Sequence, residues 1–204
     1  MPGRLILTST LAAVADAIGR PEPRIDATAR RNIEPGQEVV ALGAEGFFSA
    51  RWGIIPVGRK NARGRPVMET IINARSETLF TKSAFSGTGR AAIPADGWYE
   101  WTGERGRKTA WRIGARDGAV LWFAAISDLW VGPGGLSVRQ VAAVTCAPND
   151  DVRDVHHRMG VLLAAADLDG WLTGSEEEAA ALLAVPPAGR LKVERAGDVD
   201  WSAP

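Results

Sequence analysis

Two adjacent histidines, His156 and His157, stand in the segment DVRDVHHRMGVLL, where a polar loop meets an apolar strand. Neighbours on a strand point to opposite faces, so only one of the two can face a given site. An imidazole at such a junction can move a proton at neutral pH; the alternative is a structural histidine. Glu100 lies in PADGWYEWTG, where strand alternation puts Trp98 and Glu100 on one face and Tyr99 and Trp101 on the other. With Tyr99 and Trp101 in the core, Glu100 faces a groove beside an aromatic ring. A carboxyl there has a raised pKa and can act as acid or base, whereas on an open face it is an ordinary solvated Glu.

IINARSETLF offers an amide and a guanidinium, Asn73 and Arg75, on one face, with Glu77 following. This pair can hold a phosphate or sugar oxygen, or the segment can simply cap a helix through Ser76. Arg51 and Trp52, in SARWGIIP, suit a base stacked on the indole with a phosphate on the guanidinium. Cys146 ends the apolar run VAAVTC, which favours a buried inert thiol over a Cys–His nucleophile pair with His156. Asp150, Asp151 and Asp154 read as a solvated acidic loop rather than a cation site. No Gly-rich phosphate loop and no His-x-x-x-His or Cys-x-x-Cys spacing is present, so no metal or cofactor is expected.

The elements that must position these groups read mainly as strands. Strand signals fall at 5–7, 38–42, 47–52, 91–93, 98–101, 109–113, 120–126, 136–146 and 191–195. Ser9 or Thr10 caps a first helix that ends at Gly19; a short helix is expected over 76–82. Two more are expected over 164–172 and 175–185, the last with a capping box of Ser175 and Glu178. The stretch 21–37, rich in proline, reads as an extended loop. Strands in the middle and helices at the ends predict an α+β fold: one domain over 1–204 around a curved, antiparallel, barrel-like sheet, with a helical and strand extension from about residue 175.

With 24 basic and 24 acidic residues in 204, the net charge is zero, and 46% hydrophobic content is that of a globular chain. No apolar run reaches the roughly 20 residues of a membrane helix, and one cysteine excludes an internal disulfide. A reducing cytoplasm is the expected compartment, with a bacterial protein associating with the nucleoid when bound to DNA. The charge is divided unevenly: residues 1–116 carry +7 and residues 117–204 carry −7. Twenty of the 24 basic residues are Arg. The basic half, with Arg4, Arg30, Arg31, Arg51, Arg75 and Arg90, suggests a nucleic-acid groove; a coding bias toward Arg explains the composition equally well.

In succession the chain reads RRN-x-x-P-x-Q (30–37), ARWGIIP (50–56), INARSET (72–78), IPADGWYEW (93–101) and VHHRM (155–159). This order resembles the SRAP family, the SOS-response-associated peptidases, over roughly residues 2–175. The resemblance implies a curved sheet with flanking helices, binding to single-stranded DNA and recognition of abasic sites. In that family a cysteine after the initiator Met condenses with the open sugar aldehyde to form a thiazolidine. The resemblance further implies that Asn73, Glu100 and His156 surround that reaction and that Trp52 and Arg75 match DNA-contacting positions; Gly3, Arg4, Arg51 and Arg158 are expected to contact DNA beside them. His157 falls where the family varies between Asp and His.

The chain departs from the family at its start, reading Met1-Pro2-Gly3-Arg4 where the family has Met-Cys-Gly-Arg. Gly160 replaces a usual Pro, and Ala91 a usual Cys. Without a thiol at position 2 no thiazolidine can form there. Pro2 offers other chemistry once Met1 is removed, as is normal before a small residue. Its secondary amine, with a pKa of about 8, keeps a neutral fraction able to attack an aldehyde. An N-terminal proline serves this way at abasic sugars in the formamidopyrimidine-DNA glycosylase family.

Three functions compete: a reversible Schiff base at Pro2 with lyase chemistry on abasic or gapped DNA, a DNA-binding relative without chemistry, and a peptidase. No Ser or Cys is placed as a nucleophile for the third. A monomer with no membrane association is expected.

Overall fold

The computed structural model describes residues 2–56, 70–104, 106–197 and 199–202; Met1 lies outside them. In chain order the elements are β1 (Arg4–Leu7), α1 (Leu11–Asp16), β2 (Arg30–Ile33), β3 (Glu38–Gly43), β4 (Gly46–Trp52), β5 (Asn73–Arg75), β6 (Gly89–Ala95), β7 (Gly97–Thr102), β8 (Thr109–Ala115), β9 (Leu121–Val131), β10 (Ser137–Cys146), β11 (Met159–Gly160), β12 (Leu162–Leu163), α2 (Leu168–Thr173), α3 (Glu176–Ala181) and β13 (Leu191–Arg195).

The strands form two sheets. In one, β13, β8, β7, β1 and β2 lie side by side. In the other, β4, β3, β6, β9 and β10 close on themselves, because β10 pairs with β9 on one edge and with β4 on the other. The expected barrel-like sheet is therefore present, with one difference: β10 runs parallel to both β4 and β5. Five strands enclose a narrow interior, and this suits the run of alanines on facing strands. Ala91, Ala92, Ala124, Ala125, Ala142 and Ala143 are all fully buried.

One apolar core joins the two sheets. Trp98 of β7 meets Phe123 of β9 edge to face, centroids 5.4 Å apart. Asp96, the only residue between β6 and β7, fixes the corner. Its carboxylate accepts from the backbone N–H groups of Thr8 and Ser9 and from both hydroxyls. Those bonds hold its carboxyl below the usual range although burial acts against them.

Thr10 caps α1, and the Ser175–Glu178 capping box opens α3 as expected. The helix expected over 76–82 is instead a single turn of 3-10 helix, Ser76–Thr78. The stretch 21–37 is not all loop, since Arg30–Ile33 forms β2 beside β1.

Candidate active site

Three strand pairings bring distant segments to one place. β1 lies antiparallel to β7, with Arg4 opposite Tyr99 and Leu5 opposite Trp98, a register that leads the chain start toward Glu100. β5 lies along the end of β10, with Asn73 opposite Ala143 and Arg75 opposite Thr145. The same end of β10 pairs with β11, which places residues 156–158 just before Met159 beside it.

Glu100 is 3% exposed, and burial pushes its carboxyl up to about 7. The Trp98 indole acts in the opposite direction. His156 Nε2 stands 3.9 Å from Glu100 Oε2. Burial drives the imidazole down to about 4, the Arg158 backbone acting against it. Near neutral pH the imidazole is therefore uncharged and the contact is not an ion pair. His156 Nδ1 lies 3.0 Å from both the N–H and the carbonyl of Arg158. Accepting from the N–H leaves the ring proton on Nε2, facing Glu100; donating to the carbonyl leaves Nε2 an acceptor. The site thus pairs a carboxyl poised between its two forms with a neutral imidazole, a combination suited to proton transfer.

Asn73 Nδ2 donates to the carbonyl of Pro2 at 3.1 Å. Its Oδ1 is buried and has no partner among the described residues. Pro2 itself is buried and Gly3 half-buried. Asn73 and Arg75 also line an open cleft of about 470 Å³ with Thr78, Thr81 and Lys82. Arg75 is exposed on its rim.

The other expected DNA-contacting residues are held differently. Trp52 is fully buried and its Nε1–H donates to the Ile72 carbonyl at 2.9 Å, so no ring face is open to a base. The stacking role read from Arg51-Trp52 is corrected: the ring is core, because it ends β4 on the inner face. Arg51 bonds the Gly53 carbonyl at 2.9 Å. Arg4 reaches Asn32 Oδ1 at 2.6 Å and Glu34 Oε1 at 2.7 Å. Arg90 is turned onto the carbonyls of Gly174 and Ser175, and Arg30 onto the carbonyl of Glu38. Arg158 grips Glu77 with both terminal nitrogens and the Thr145 carbonyl at 2.5 Å. Counting arginines in the sequence overstated the free ones, because several spend their charge on internal oxygens.

Cys146 is buried, and burial pushes its thiol up to about 11, which leaves it an inert core residue. Asp151 is occupied by the N–H groups of Gly189 and Leu191, and Asp150 by Arg153. Two features escaped the sequence reading. Glu77 is the partner of Arg158, for which the only signal was an acid in NARSET. Trp201 packs on Tyr99 and Trp101, for which there was none.

Known proteins resemble the chain over most of its length. The family model for SOS response associated peptidase (SRAP) matches residues 1–198. Abasic site processing protein YoaM of Bacillus subtilis is 30% identical over 182 residues, covering 84% of this chain and 79% of the relative. Abasic site processing protein YedK of Escherichia coli is 30% identical over 184 residues, with the same coverage of 84% and 79%. A crystal structure of a protein from Bordetella bronchiseptica superposes with a TM-score of 0.80 at 23% identity, covering 96% of this chain and 99% of that one, which establishes the shared fold. The order of motifs, the sheet topology and these matches agree, and the chain belongs to the SOS response associated peptidase (SRAP) family.

Proposed function

We propose that this protein recognises abasic sites in single-stranded DNA and forms a reversible Schiff base with them through Pro2. The observation that carries the reading is the placement of Pro2: its carbonyl is fixed by Asn73, two residues before β1, whose register against β7 leads back toward Glu100. The relatives' names, abasic site processing proteins, supply the substrate class.

Removal of Met1 exposes the secondary amine of Pro2. Its lone pair attacks C1′ of the open-ring sugar aldehyde and gives a carbinolamine. Protonated Glu100 donates to the departing hydroxyl, water leaves, and a positively charged iminium remains. The iminium acidifies the C2′ proton. Neutral His156 or ionised Glu100 removes it, and the 3′ phosphate departs by β-elimination. Hydrolysis of the iminium returns the free amine. Asn73 Oδ1, buried and without a partner among the described residues, accepts from a sugar hydroxyl in this reading, and Arg75 holds a flanking phosphate.

Borohydride trapping on abasic single-stranded DNA tests the reading. The expected result is a covalent adduct that disappears when the amino terminus is acetylated. Pro2→Ala keeps a free amine and is the weaker control. The absence of a thiol at position 2 favours a second reading, a DNA-binding relative without chemistry. That reading predicts salt-dependent binding with neither adduct nor cleavage.

A further inference from the structure

Trp201 lies beyond the residues matched by the family model, which end at 198. It is the centre of an aromatic cluster on the face of β7 opposite Glu100. Its ring meets Tyr99 at 5.0 Å and Trp101 at 5.3 Å between centroids. The Arg4 guanidinium sits 5.8 Å above the same ring. Asn32, 3% exposed, ties the two ends of the chain together. Its Nδ2 donates to the Trp201 carbonyl at 2.9 Å, and its Oδ1 accepts from Arg4 at 2.6 Å. Glu34 completes the hold on Arg4 at 2.7 Å.

These contacts matter for the amino terminus because of what lies between them and the site. Pro2 is anchored through its carbonyl by Asn73. Two residues on, Arg4 is anchored by Asn32, Glu34 and Trp201. Gly3 joins the two anchors without a side chain of its own, one residue before the β1–β7 pairing begins at Arg4, which leaves its backbone torsions freer than those of any other residue type. Loosening the second anchor lets Pro2 pivot about the first. A reacting group displaced by about 1 Å can lose a hundredfold in rate.

We propose that Trp201 is a positioning residue for Pro2: the carboxy-terminal segment clasps Arg4 and thereby holds the amino-terminal nucleophile at its place of reaction. The inference rests on the Schiff-base reading only for its kinetic consequence. The clasp itself is a statement about the order of β1.

The test uses the full chain with Trp201→Ala and Trp201→Phe, and a chain ending at residue 199 in case Trp201→Ala misfolds. Hydrogen exchange of the amides in residues 4–7 is measured first. Loss of the aromatic cluster is expected to speed it about tenfold in Trp201→Ala and in the shortened chain, with amides of β9 and β10 unchanged. Trp201→Phe keeps a ring and the backbone carbonyl and is expected to restore protection. Borohydride trapping at saturating abasic DNA is measured next. It is expected to slow about tenfold or more in Trp201→Ala with unchanged DNA affinity, and to recover in Trp201→Phe.

Unchanged exchange in residues 4–7 overturns the clasp. Faster exchange with an unchanged trapping rate overturns the positioning role. Absence of any adduct from the wild-type chain removes the Schiff-base reading instead, and the exchange result alone then decides the clasp.

Discussion

The side chain of Arg158 is locked to Glu77, 81 residues earlier in the chain, by both of its terminal nitrogens. The backbone N–H of the same arginine meets His156 Nδ1 at 3.0 Å. A surface carboxylate in one motif thus fixes the loop that carries the imidazole of another. Burial and charge then divide the labour: Glu100 titrates near neutrality while His156 stays uncharged.

Glu77→Gln should weaken that lock. The Arg158 guanidinium holds the Glu77 carboxyl down to about 2, and Glu77 is half exposed, so the effect on stability is screened and below about 1 kcal/mol. Because its pKa is depressed, this contribution is full above the ordinary carboxylate range and disappears as pH falls toward about 2. The trapping rate should fall about tenfold with DNA affinity little changed, since the loss is in the orientation of His156. Thermal melts at pH 7 and single-turnover trapping measure the two effects.

Glu100→Gln should stabilise the fold while removing the acid that protonates the departing hydroxyl. Burial raises the Glu100 carboxyl to about 7, so the folded protein binds the proton more tightly than the unfolded chain. Stability therefore falls as pH rises from the ordinary carboxylate range to about 7, by up to about 3 kcal/mol. Gln mimics the protonated form and escapes this loss. Melting curves should favour the variant at pH 8 and converge with wild type at pH 4; equal stability at both pH values would count against the buried, raised carboxyl.

Trp52→Ala should cost about 3–5 kcal/mol as a core deletion, because the ring is fully buried. A base-stacking role would instead show as weakened DNA binding in a chain of normal stability. Denaturant unfolding and DNA titration on the milder Trp52→Phe separate the two.

Much of the sheet was legible because alternation and apolar runs encode it locally. The spans 109–113 and 191–195 appear as β8 and β13, and the Ser175–Glu178 box as the cap of α3. β2 was not legible, because an edge strand reading Arg-Arg-Asn-Ile carries two charges and lies beside only β1. The helix expected over 76–82 fails after one turn; its Glu77 bonds Arg158, a partner that lies far away in sequence. At the site, motifs named Asn73, Glu100 and His156 but could not tell an arginine that meets solvent from one that meets a carbonyl. Arg75 is exposed, whereas Arg51 and Arg90 are turned inward. That distinction is tertiary, as is the contact of Asn32 with Trp201 across 169 residues.

On the proposed function, the amine of Pro2 is the group that meets the abasic sugar. Peptide mapping by mass spectrometry of the borohydride-trapped adduct tests it most directly. The reduced sugar remnant is expected on the amino-terminal peptide, at the nitrogen of Pro2, with Met1 absent from that peptide. A remnant on a lysine such as Lys82 in the neighbouring cleft, or an amino-terminal peptide that retains Met1 and carries no adduct, would contradict it.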